Sequence, residues 1–140
     1  MLRALTAFSL LLIFSFSAWS YDGTPKRKTH PWLTGTWEGT GYQIDNNSTW
    51  TMRLTAGTGR FAIEYPSLNC GGEWELKRLS ARRAVFRERL ATGQERCTNN
   101  GTVVIERLNH SQLLFLYTNP GEQEVTSSAI LNRKPESGTD

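Results

Sequence analysis

The chain has 140 residues and 15.8 kDa, the size of one small domain. Its 16 basic and 13 acidic side chains leave a formal charge of +3, too weak to imply a nucleic-acid or membrane footprint. A hydrophobic share of 38% with 11% aromatics excludes wholesale disorder.

Residues 1–20 read as a secretory signal. Arg3 supplies a basic start, Leu10-Leu11-Leu12-Ile13-Phe14 an apolar centre, and Ala18-Trp19-Ser20 small residues for cleavage before Tyr21. The apolar run is about five residues short of a bilayer-spanning helix, so an uncleaved anchor is the weaker alternative and no integral span is expected after cleavage. No cysteine near the cleavage point invites a lipid anchor. The expected compartment is secreted or periplasmic. There Cys70 and Cys97 form an even pair, for which one disulfide is the default. His30 and His110 stand alone, so neither a metal nor a cofactor is expected.

Residues 21–32 form a polar linker that carries Lys26-Arg27-Lys28. A domain over 33–134 follows, then a polar tail at 135–140. Within the domain the hydrophobic period is two, not 3.6. Gly35-Thr36-Trp37 opens a first strand. Thr49-Trp50-Thr51-Met52-Arg53-Leu54-Thr55 alternates without a break, and Arg60 to Tyr65 and Glu73 to Lys77 do so in their large residues. In residues 83–90, Arg83, Arg87 and Arg89 share one side, with Ala84, Phe86 and Leu90 on the other. Residues 102–108, 112–118 and 125–133 close the series. Clusters of Asn, Gly and Pro separate the runs. The expected fold is all-β: about eight antiparallel strands in an up-and-down meander that closes into a barrel. Trp37, Trp50, Phe61, Ile63, Trp74, Leu76, Phe86 and Leu90 are expected in its core.

Alternate loops of a meander lie at the same end. The loops near Asp45, at 66–72 and at 92–101 share what we call the open end, so Cys70 and Cys97 fall together. Turns at the opposite end are tight. The open end carries the longer loops, and barrels bind at such mouths.

The Gly35-x-Trp37 motif resembles that of the lipocalin-like and avidin-like barrels, the calycins. This resemblance implies that Trp37 plugs the closed end and that Arg133, on the last strand, packs across it. Tyr65-Pro66-Ser67-Leu68-Asn69-Cys70-Gly71-Gly72, with Gly35-x-Trp37-x-Gly39 upstream and Arg87-Glu88-Arg89-Leu90 before Cys97, is similar to a bacterial exported YPSL-x-C-G-G domain. Such domains occur alone or as the extracytoplasmic part of actinobacterial serine/threonine kinases. The likeness spans roughly 33–133 and implies fold, disulfide and export, but no reaction. Pro66 is expected to end a strand, and Gly71-Gly72 to allow positive φ beside the cysteine.

Tyr65, Ser67 and Asn69 sit on this stapled rim and are candidate ligand contacts. Glu88 falls on the side of Phe86 and Leu90, facing inward, where a carboxylate must be paired or protonated. Its expected partner is Arg133 or Arg107; the alternative is an anchor for a ligand. By parity Gln43 shares the face of Trp37, and Ser127 that of Arg133, which completes the candidate set. Glu38, Glu64, Glu73 and Glu75 fall outward, and Arg78, Arg82, Arg83, Arg87 and Arg89 read as a solvated stripe. No G-x-S-x-G, clustered histidine or inward carboxylate pair supports catalysis. The sequence thus points to an exported, non-enzymatic binding or sensing barrel for a small ligand or envelope component. The alternative is an inhibitor or immunity-type protein that blocks a partner enzyme through its stapled loops.

Overall fold

The computed structural model describes residues 31–136. The leader at 1–20, the linker up to residue 30 with His30, and the tail from 137 lie outside the described residues. Eight antiparallel strands pair in sequence order, and the last returns to the first: β1 (Gly35–Gln43), β2 (Thr49–Ala56), β3 (Phe61–Tyr65), β4 (Cys70–Leu79), β5 (Arg83–Thr92), β6 (Thr102–Arg107), β7 (Gln112–Thr118) and β8 (Ser127–Arg133). Closure through the β1–β8 pairing, Trp37 opposite Arg133 to Gln43 opposite Ser127, removes both edges of the sheet. A 3-10 turn, η1 (Pro66–Leu68), is the one helical element among the described residues. No helix there is long and apolar enough to cross a membrane.

Strict alternation is clearest in β2, where Trp50, Met52, Leu54 and Ala56 are buried and their neighbours exposed. β5 buries Ala84, Phe86, Glu88 and Leu90. Aromatic rings fill the middle of the barrel: Phe61 against Phe86 at 4.9 Å, Trp74 against Phe86 at 5.4 Å, and Trp74 stacked on Phe115 at 5.8 Å. Such pairs contribute beyond their buried area.

One end is shut. Trp37 is fully buried and its indole donates to Leu33 O at 2.9 Å. Arg133 lies over that ring at 4.0 Å and donates to Thr34 O, Trp32 O and His110 O. Trp32 is itself buried and donates to Ser80 O, so it packs with the barrel. The connections here are tight: Gly57 N to Arg60 O, Ser80 N to Arg83 O, and Asn109 N to Gln112 O.

Three expectations need correction. Leu76 is not core; it is 36% exposed. β3 pairs with β4 only through Cys70–Glu73, so Leu76 projects past the end of β3. A bulge between Leu76 and Arg78 then reverses parity, and Leu79 packs on the core instead. The left-handed residue beside Cys70 is Asn69, φ 56°, not a glycine. Gly72 serves a close approach: a Cβ there would strike the Arg89 carbonyl oxygen and lie 2.7 Å from Leu90 Cα. The last strand starts at Ser127 rather than residue 125.

Candidate functional site

The other end is open. Its loops run over 44–48, 66–69, 93–101 and 119–126, and they surround a cavity of about 290 Å³. Cys70 and Cys97 are disulfide-bonded beside it, with Cα atoms 6.5 Å apart, as the meander requires. The bond fastens the 93–101 loop to the start of β4. Arg96 reinforces it by donating to Leu68 O at 3.2 Å and Asn69 O at 2.9 Å. Arg96, Cys97 and Thr98 thereby form part of the cavity wall.

Aromatic side chains supply the inner wall. Trp50 meets Tyr65 edge-on at 5.3 Å and Phe115 edge-on at 5.8 Å, and Tyr117 stacks beyond Phe115 at 6.3 Å. All four line the cavity. Parity accounts for them: Trp50 and Tyr65 are inward residues of β2 and β3, and Phe115 and Tyr117 of β7.

Glu88 sits among them, 2% exposed yet on the cavity wall. β5 directs it inward, and the β4–β5 register sets Trp74 opposite it. Its Oε2 accepts from Tyr65 Oη and from Trp74 Nε1 at 3.0 Å. Neither of these two bonds falls on Oε1. The Tyr117 hydroxyl, also on the cavity wall, is the third polar group beside this carboxylate. Burial pushes the Glu88 carboxyl above its ordinary value, partly offset by hydrogen bonds from Tyr65, Trp74 and Tyr117. Burial, then the Glu88 charge, pushes the Tyr65 hydroxyl well above its usual range, and the same two causes raise Tyr117. Both tyrosines stay neutral donors across the physiological range.

The expected arginine partners of Glu88 are elsewhere. Arg133 caps Trp37 at the shut end, and Arg107 is the last residue of β6 at that same end, its N–H bonded to Arg82 O. Parity identifies the side of the sheet but not the height along the barrel, and this pair failed on height.

Of the sequence-derived candidates, the structure brings Gln43, Tyr65, Glu88 and Ser127 together on the cavity wall. Ser67 and Asn69 are outside it. Ser67 locks η1 onto β2, accepting from Thr51 N at 2.8 Å and donating its own N–H to Thr51 Oγ1 at 3.2 Å. Asn69 ends η1 in a left-handed conformation, and its carbonyl holds Arg96. Phe115, Tyr117 and Arg96 also line the cavity, and the sequence pattern does not single them out. β7 is apolar on both faces, which blunts its alternation, and Arg96 lies in a loop without period.

Outside the barrel the predicted acids pair across strands: Glu38 with Arg53 and Lys134, Glu73 with Arg60, Glu75 with Arg89. Within the arginine stripe, Arg83 faces Glu106 and Arg87 donates to Asn100 O. Among the described residues no group of three or more His, Cys, Asp or Glu could hold a metal ion. Ser48 and Ser127 line the cavity, but no histidine among the described residues does. Comparisons with family models, with curated proteins and with solved structures return no match, so the functional reading rests on the chemistry of the site.

Proposed function

We propose that the chain is an exported, non-enzymatic binding domain that takes a small ligand, or a small fragment of an envelope component, in the open end of a lipocalin-like barrel. One observation carries this reading: a cavity of about 290 Å³ with aromatic walls and a buried carboxylate among its lining groups. That volume is at the small end of ligand pockets, which run from roughly 300 to 1,000 Å³. Convergent polar groups in an aromatic cavity are the usual anatomy of such a site. The Cys70–Cys97 disulfide supports export.

The competing inhibitor reading calls for a protruding, stapled rim. Residues 66–69 instead lie along β2 through the reciprocal Ser67–Thr51 bonds, which favours the cavity as the working surface. Native mass spectrometry of the oxidised mature chain after exposure to envelope extract tests the proposal. A small-molecule adduct is expected, lost in Gln43→Trp, which narrows the mouth. A protein adduct that survives Gln43→Trp supports the inhibitor, and the absence of any adduct overturns both.

A further inference from the structure

Resting on that reading, we infer that the ligand is a small organic cation, a primary or methylated ammonium, held with its nitrogen on Glu88 Oε1 and its carbon groups against Trp50, Phe115 and Tyr117. Glu88 lies in a wall that excludes water from one side of it, and the hydrogen bonds from Tyr65 and Trp74 both fall on Oε2. No cation among the described residues forms an ion pair with it: the eight observed pairs all involve other acids. A buried carboxylate without a cation is a costly arrangement. It becomes favourable when a positively charged group arrives from outside, since a charge-assisted bond to Oε1 then completes the pair.

The surroundings select the same sign. Among the described residues Arg96 is the one basic side chain lining the cavity, and its guanidinium is committed to Leu68 O, Asn69 O and Glu95. The second acid of the lining, Asp45, stands at the mouth, where it draws cations and repels anions. Trp50 and Phe115 meet at 84°, so one presents its face and the other its edge, forming a corner. An alkylammonium set in such a corner gains from the negative ring face as well as from apolar burial. A carboxylate or phosphate ligand would meet Glu88 with no free counter-charge.

The test uses the oxidised mature chain at neutral pH and follows tryptophan fluorescence, because Trp50 lines the cavity and Trp74 holds Glu88. The probes are tetramethylammonium and n-butylammonium, the neutral tert-butanol and n-pentanol, and the anion butyrate. Saturable changes with the two ammonium ions are expected, with neutral probes and butyrate weaker by at least about tenfold, the scale of one charged hydrogen bond. Glu88→Gln keeps an acceptor for Tyr65 and Trp74 but removes the charge, and it should weaken ammonium binding by a similar factor without lowering the melting temperature. Neutral probes binding as tightly as the ammonium ions would overturn the cation assignment and leave the binding-domain reading in place. Ammonium binding undiminished in folded Glu88→Gln would also overturn it. If none of the five probes binds and extract yields no adduct, both proposals fail. The wild-type comparison of charged and neutral probes stands even if the variant does not fold.

Discussion

Glu88 is held between opposing effects: burial favours its neutral form, and the Tyr65 and Trp74 donors favour its charged form. Burial wins, so the folded chain binds this proton more tightly than the unfolded chain, where the carboxyl titrates near 4.5. Between those two values the folded state carries a proton that the unfolded state has released. Stability is therefore fully present below about pH 4.5 and declines as pH rises through the folded-state value. Glu88→Gln has no proton to lose. Its melting temperature relative to wild type should climb as pH rises from about 4 and then level off; a difference that stays flat would show that Glu88 titrates normally. Glu88→Ala tests the partners. With no arginine to strand, it should cost about 1–3 kcal/mol by leaving the Tyr65 and Trp74 donors unmet. Stranding a buried cation would instead cost about 3–5 kcal/mol, and a denaturant titration separates the two. That Glu88 points inward was legible from its place between Phe86 and Leu90. Its partners were not, because Tyr65 and Trp74 reach it only through the register of two neighbouring strands.

The β4–β5 hairpin shows where strand patterns inform and where they mislead. Period two located β2 to β5, since one face of each is buried and a one-residue slip would turn the wrong side to the core, while Gly35-x-Trp37 marked β1 and apolar runs between turn residues marked the rest. The same rule put Leu76 inside, because a bulge has no signature in alternation and the length of β3 cannot be read from β4. The glycines of this hairpin looked like turn formers. The packing instead makes Gly72 a contact point between β4 and the backbone of β5. Gly72→Ala must push Arg89 and Leu90 away, and overpacking of this kind costs about 1–3 kcal/mol. The displaced residues flank Glu88, so the variant should also weaken ligand binding. A melt and a binding titration on one sample check this; an unchanged melt would mean that the hairpin yields without strain.

Across the molecule, the two ends are built for different tasks. At the shut end Arg133 ties residues about a hundred positions apart, from Trp32 O and Thr34 O to its own strand, over the indole of Trp37. At the open end the sheet stops, and the 93–101 loop is held by the Cys70–Cys97 bond, by Arg96 on the carbonyls of Leu68 and Asn69, and by Asn99 Oδ1 accepting from Leu90 N. The disulfide closes a chain separation of 27 residues, for which loop entropy predicts about 3.5 kcal/mol of stabilisation. Replacing both cysteines by alanine should lower stability by roughly that amount and leave the barrel strands paired, because none of the β1–β8 ladder passes through the bond. The local effect should be larger than the global one. Released from Cys70, the loop carries Arg96 and Thr98 away from the cavity wall and frees the Thr98 carbonyl from Tyr117 Oη. Amide hydrogen exchange should then rise over 93–101 well before it rises in β2 or β5, and ammonium affinity should fall in the folded variant. Exchange that rises evenly over the whole barrel would mean that the bond supports the fold as a unit rather than shaping the mouth.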